Sequence, residues 1–203
     1  MFLSLDTFSE NLGIALFYEG KLIYHISIYK FKPFSEFLVK KLDDIFKELS
    51  LDKRKIKKVI VNKGPGSYTG LRVGVSIGKS IAYSLKIPIY AYNSLSALAY
   101  KYRFVQNSIL IGINAGKGEI YSQQFITSLE DIKQISEIKL LKKNEFLKLT
   151  NNFKITITKN IDLQGNNFVK DIEDLSIIGA EYALKNDLVE NVYMLEPIYI
   201  RGL

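Results

Sequence analysis

Lys63-Gly64-Pro65-Gly66-Ser67-Tyr68-Thr69-Gly70-Leu71-Arg72-Val73-Gly74 is the stretch on which the reading of this chain turns. It follows an apolar, β-branched run, Val59-Ile60-Val61, and leads into a segment of helical character that reaches Leu85. Three glycines and a proline between Gly64 and Gly70 make a tight loop, because glycine reaches positive φ without steric cost and proline fixes φ. Ser67 and Thr69 are suited to cap the helix, and the backbone N–H groups at its start suit an anion. The loop departs from the common nucleotide motifs. A Walker A loop needs Lys-Ser/Thr after its last glycine, where Leu71-Arg72 stands, and Gly64-x-Gly66-x-x-x-Gly70 misses the dinucleotide spacing by one residue. Two readings follow: a phosphate site, or a strand-to-helix turn that binds nothing.

The 203 residues, 47% of them apolar, allow one large domain or two small ones with a proper core. No run of about 18 uncharged apolar residues occurs, so no membrane span is expected. The opening Met1-Phe2-Leu3-Ser4-Leu5-Asp6 has no basic segment and meets a carboxylate early, which argues against a signal peptide and for a cytoplasmic protein. The lack of cysteine excludes disulfides and thiolate metal sites. The single histidine, His25, cannot by itself make a histidine-rich metal site, and no Gly-x-Ser-x-Gly elbow accompanies it. The formal charge of +7 is mostly lysine, scattered apart from Lys53-Arg54-Lys55 and Lys57-Lys58. That balance permits RNA contact through counterion release, while only four arginines argue against a dedicated phosphate-reading surface.

Periodicity predicts strands at 2–5, 12–18 and 21–29, the last two joined by Glu19-Gly20, then a helix at 34–49. A buried strand at 56–61, a helix at 71–85, a strand at 88–92 and a helix at 93–102 complete the first half. The second half predicts strands at 108–113, 119–126, 135–140 and 153–158, with helices at 143–149 and 174–188. Both halves begin with hairpin strands and continue with helix–strand elements. This suggests a duplicated three-layer α/β unit, with lobes 1–102 and 103–203 and a C-terminal segment able to pack back on the first.

The central stretch, Gly64 to Gly74, resembles the signature of the TsaB (YeaZ) family, which acts in bacterial synthesis of the threonylcarbamoyl-adenosine beside the tRNA anticodon. Leu3-Ser4-Leu5-Asp6-Thr7-Phe8-Ser9 resembles that family's Asp-Thr-Ser start. Asn114-Ala115-Gly116-Lys117-Gly118-Glu119-Ile120-Tyr121 is similar to its second-domain motif, and Pro197-Ile198-Tyr199-Ile200-Arg201 to its terminus. The resemblance implies an α/β, actin/hexokinase/Hsp70-like (ASKHA) fold of two ribonuclease-H-like lobes, with mixed sheets flanked by helices. It implies a non-catalytic scaffold that binds TsaD, with TsaE completing the assembly, reaches tRNA through that complex, and forms a homodimer when alone. The catalytic relative TsaD holds a metal through His-x-x-x-His, which a chain with only His25 cannot do. The motif's acidic residue is Asn114 here and its arginine is Gly116, so Asp6 stands alone where Mg²⁺-ATP chemistry would need a pair of carboxylates facing across a cleft. No catalytic residue, metal or required cofactor is expected; weak ATP or ADP binding is left open, at the partner interface.

Gly70, Gly74, Gly78 and Ala82 recur every four residues in the second predicted helix, and each interior glycine costs roughly 1 kcal/mol against alanine. A smooth row admits a very close neighbour, either the chain's own sheet or a helix of a partner. With Val39 and Phe46 beside the main apolar stripe of the first predicted helix, the partner reading makes Val39, Phe46, Gly70, Gly74, Gly78 and Ala82 an interface, with Val73 and Ile77 facing the core. The family pairs through these two helices. The competing enzyme reading is a small-molecule kinase or other nucleotide-dependent enzyme of the same fold, with Asp6, Thr7, Gly64, Gly66, Ser67, Thr69, Gly70 and Arg72 around the nucleotide.

Overall fold

The computed structural model, which describes residues 1–29, 33–163, 165 and 167–200, grows from the short apolar runs of the sequence. β1 (Phe2–Asp6) pairs antiparallel with β2 (Asn11–Tyr18), which turns through Glu19-Gly20, both at positive φ, into β3 (Lys21–Tyr29). After α1 (Leu38–Glu48), β4 (Lys58–Asn62) lies parallel to β1 on its other side. The loop at 63–67 leads into α2 (Tyr68–Leu85), then β5 (Ile89–Tyr92), parallel to β4, and α3 (Ser94–Lys101). Alternation decides the layers. Val59 and Val61 join the core under α1 and α2, while Ile60 between them joins the opposite core with α3.

The second sheet repeats the plan. β6 (Ser108–Gly116) pairs antiparallel with β7 (Glu119–Thr127), whose far edge takes β8 (Ile132–Gln134) and β9 (Lys139–Lys142). α4 (Lys143–Thr150) follows, then β10 (Ile155–Lys159), parallel to β6, and β11 (Phe168–Asp171), parallel to β10. With β8 and β9 counted as one broken strand and the added β12 set aside, reading each sheet from its hairpin edge gives third, second, first, fourth, fifth strand in both. The two lobes thus share the mixed ribonuclease-H-like order expected of an ASKHA fold.

The chain then returns. α5 (Ser176–Lys185) packs on β5, β4, β1 and β2 of the first sheet and against α3, and β12 (Val189–Glu190) pairs antiparallel with β5. α3 and α5 lie between the sheets, joined in one core with Tyr92, Ile109, Ile111 and Phe125. No helix among the described residues is long and apolar enough to cross a membrane.

Several expectations need correction. The expected strand at 135–140 falls mostly on a break between two strands, and only Lys139 and Leu140 of it lie in one. Ser136 Oγ accepts from Gln124 N at 3.0 Å, so a side chain occupies a ladder position and the chain crimps between β8 and β9. β11 and β12 lay outside the sequence reading. The glycine row of α2 faces its own sheet, not a partner. A Cβ on Gly70 would lie 2.1 Å from Thr7 O, one on Gly74 2.2 Å from Thr7 Oγ1, and one on Gly78 2.4 Å from Val61 Cγ1. Ala82 is buried in the same core. Val73 and Ile77 are only partly buried, and Phe46 is buried while Val39 is 63% exposed. The row is therefore what lets α2 descend onto β1 and β4.

Gly78→Leu should accordingly destabilise the protein. Overpacking of this kind typically costs about 1–3 kcal/mol. The thermal midpoint should fall by several degrees, at about 2–4 °C per kcal/mol for a chain of this size. Leucine at the exposed Ser76 should leave it nearly unchanged. Equal midpoints for the two variants would contradict this packing.

Candidate functional site

Asp6 ends β1, two residues before Phe8 and three before Ser9, which line the cleft between the lobes. Its carboxylate is fully buried, yet three donors reach it. Leu175 N lies 2.6 Å from Oδ2, and Asn62 Nδ2 and Phe8 N lie 2.9 and 3.4 Å from Oδ1. Asn62 ends the adjacent β4, and its Oδ1 accepts from Gly64 N at 2.8 Å and Ser94 Oγ at 2.7 Å. Tyr92 OH donates to Leu175 O at 3.1 Å, and Ser4 Oγ to Ser176 O at 2.7 Å. One polar network thus joins β1, the 63–67 loop, the start of α3 and the turn before α5.

A second carboxylate, Asp174, sits beside it, admitted by Gly13: a Cβ there would lie 2.0 Å from Asp174 Oδ1. That oxygen accepts from Ser176 N at 2.9 Å and Ser176 Oγ at 2.5 Å, while Oδ2 lies 3.0 Å from His25 Nε2. Burial raises the Asp6 carboxyl to about 7, helped by the negative charge of Asp174. Burial pulls Asp174 the same way, but the Ser176 hydrogen bonds and His25 outweigh it and hold Asp174 below its usual range. Serine, histidine and aspartate meet here in the wrong order for hydrolysis. The carboxylate lies between the other two, so the serine proton points at Asp174 and not at an imidazole. Nor do these groups make a metal centre of the TsaD kind. His25 is the only imidazole, and among the described residues no group of three or more His, Cys, Asp or Glu side chains converges.

The cleft has a volume of about 480 Å³. Ser9, Gly66 and Ser67 line one side, Asn114 and Ala115 the other, with Tyr199 at its edge. The sequence-predicted loop residues are only partly brought together. Asp6 and Thr7 are buried and do not line the cleft, whereas Gly66 and Ser67 do. Thr69 and Arg72 are exposed on α2 outside it, with Arg72 Nη1 donating to Tyr68 OH at 2.9 Å.

Three N–H groups of the stretch read as a phosphate cradle are engaged within the chain. Gly64 N donates to Asn62, Ser67 N to Phe8 O at 2.7 Å, and Gly70 N to the capping Ser67 Oγ at 3.3 Å. The glycines serve close packing: a Cβ on Gly66 would lie 2.4 Å from Phe8 O. Sequence reasoning missed Asn62, Ser94 and Asp174. A polar residue ending the run Val59-Ile60-Val61 was the available signal for Asn62. Asp174 follows the acidic stretch Asp171-Ile172-Glu173 and carried no signal at all.

Residues 31–197 match the family model of TsaD, tRNA N6-adenosine threonylcarbamoyltransferase. The tRNA threonylcarbamoyladenosine biosynthesis protein TsaB of Bacillus subtilis is 36% identical over 120 residues, 59% of this chain and 52% of the relative. The chain therefore spans little more than half the length of that curated relative. A Mycoplasma pneumoniae protein described as an uncharacterized MG208 homolog is 27% identical over 98% of this chain and 94% of its own. Among solved structures, YeaZ from Pseudomonas aeruginosa superposes with a TM-score of 0.77 at 16% identity, covering 98% of this chain and 99% of that one, a likeness of fold.

The elevated Asp6 carboxyl gives a pH dependence of defined sign. The folded state holds its proton more tightly than the unfolded state, whose value is about 3.9. Stability from this group is complete below that value and is lost as pH rises through about 7. Urea midpoints should therefore fall between about pH 4 and 7 and level off above it. In Asp6→Asn, which cannot titrate, the fall should be much shallower. Parallel curves for the two proteins would contradict this assignment.

Proposed function

This chain belongs to the family described by the TsaD model, on its TsaB (YeaZ) side, and we propose that it is a non-catalytic subunit in threonylcarbamoylation of tRNA adenosine, docking on TsaD in a complex with TsaE. The observation that carries the reading is an open apolar groove of about 790 Å³ between α1 and α2. Val39, Leu42, Ile77, Ile81 and Leu85 line it, and Lys40, Asp43 and Lys53 stand at its rim. Val39 is 63% exposed at its centre, and Lys53 pairs with Asp43 beside it. An apolar centre inside a charged rim is the composition of a protein-docking surface. The outward surface is the Val39, Ile77 and Ile81 flank of the two helices, in place of the glycine row.

The cleft supports the non-catalytic part of the reading. Asp6 and Asp174 are bonded to the chain's own donors and do not line it, its one acidic lining residue, Glu10, accepts from Tyr29 OH at 2.9 Å, and the residue on the far wall is the amide Asn114. A nucleotide-dependent kinase needs acidic groups free to hold Mg²⁺ and phosphate there. In this reading the chain requires no cofactor of its own.

Ile77→Asp, which puts a charge in the groove, should weaken association with a TsaD partner by tenfold or more. The isolated chain should stay folded, with a lowered thermal midpoint because Ile77 is partly buried against the core. Sedimentation of the mixture decides; unchanged association would remove the groove from the interface. The purified chain alone should turn over no ATP and modify no tRNA, whereas modification by TsaD and TsaE should depend on adding it. Metal-dependent ATP turnover that survives repurification and disappears in Asp6→Ala would overturn the non-catalytic reading.

A further inference from the structure

α2 has two different flanks. One carries Ile77, Ile81 and Leu85 into the apolar groove. The other carries Tyr68, Arg72, Ser76, Lys79 and Tyr83, spaced four, four, three and four residues apart, which is one stripe of a helix. Residues 193–199 run antiparallel along this stripe. Tyr193 meets Tyr83 edge to face with ring centroids 5.8 Å apart, and Tyr199 lies beside Tyr68 at 5.1 Å. Between these pairs Lys79 Nζ donates to the carbonyls of Tyr193 and Leu195 at 3.1 and 2.9 Å. Ile198 N donates to Lys63 O at 2.7 Å and fastens the far end.

The result is a fixed surface, about 22 Å from Tyr68 to Tyr83 at 1.5 Å per residue. Its aromatic rings are held on ordered backbone yet open to water. Tyr193 is 70% exposed, Tyr83 60%, Tyr68 48% and Tyr199 41%. Arg72 lies over the Tyr68 ring, 5.3 Å from its centroid. Lys86 caps the C-terminal end of α2, beside Tyr83. Among the described residues none of Arg72, Lys79 and Lys86 forms an ion pair. A polar groove of about 290 Å³ runs between helix and strap, with Glu196 as its one acidic lining residue.

We propose that this stripe binds single-stranded RNA, with bases stacking on the tyrosine rings and phosphates facing Arg72, Lys79 and Lys86. Every base offers a π-face, so spaced and pre-ordered rings hold a single strand without reading its sequence. The cations supply the counterion-release part of the affinity. A protein partner suits this flank less well, because charged residues are depleted at the centre of protein interfaces and here they alternate with the rings. The apolar flank of the same helix has the opposite composition. The inference rests on the proposed function for tRNA as the source of the strand, and it adds direct contact by this chain.

The test is fluorescence anisotropy of the full chain with a labelled single-stranded oligouridylate and with a duplex RNA of equal length. The single strand should bind more tightly. Tyr83→Ala and Tyr193→Ala should each weaken it by roughly tenfold, from about 1–3 kcal/mol per stacked base at 1.4 kcal/mol per decade. Tyr83→Phe and Tyr193→Phe should retain binding, since the rings remain. Arg72→Gln should reduce the slope of log affinity against log salt by about one. Ile77→Asp should bind RNA as the wild type does, which separates this flank from the docking groove. If that variant also docks TsaD normally, the function reading fails while the RNA surface stands. Wild-type affinity in both alanine variants, equal binding of duplex and single strand, or loss of TsaD association in place of RNA binding would each overturn the proposal.

Discussion

Asp6 sits at the end of β1 with both carboxylate oxygens engaged, one by Asn62 and Phe8, the other by Leu175. Through Asn62 it also sets Gly64 and Ser94, so a single side chain fixes the strand end, the glycine loop and the start of α3. The glycine row adds the vertical constraint. With no side chains at positions 70, 74 and 78, α2 comes down until its backbone meets Thr7 and Val61. A helix at ordinary distance would leave the 63–67 loop too far from Phe8 for the Ser67–Phe8 hydrogen bond. Lateral position comes from the carboxylate and height from the glycines.

In that arrangement the loop serves as a structural joint. Binding an anion at a helix N-terminus requires N–H groups that point outward without partners. Here the N–H groups of Gly64, Ser67 and Gly70 are bonded within the loop and its neighbour. Besides the cleft, two open surfaces lie on either side of α2, one apolar and one aromatic and cationic.

The strands and helices of the first lobe were legible because each buries one face, which leaves a period in the sequence. The Gly64–Gly74 stretch and the landmarks around it carried the family. The direction of α2 was not legible. Both the row 70, 74, 78, 82 and the row 73, 77, 81 lack charge, and spacing alone does not say which lies against the sheet. β12 was invisible because two residues carry no pattern, and its pairing with β5 follows from where α5 docks. The Asp6 network was invisible for another reason: Asp6 and Leu175 lie 169 positions apart, and no local rule links them. The tyrosine stripe has the same character, since Tyr83 and Tyr193 meet only in the folded chain.

The return of α5 and β12 to the first sheet bears on how the protein emerges from the ribosome. Synthesis runs from the N-terminus, and the contacts Ser4–Ser176, Asn11–Ile172 and His25–Asp174 close over 172, 161 and 149 positions. While these partners are still unmade, the nascent first sheet has α1 and α2 on one face and a bare apolar surface on the other. The second lobe, complete in its own strand order by Asp171, emerges as an insertion within an unfinished first lobe. Loop closure over such spans is slow relative to local structure. The half-built sheet is therefore the species most exposed to aggregation and to chaperones during translation.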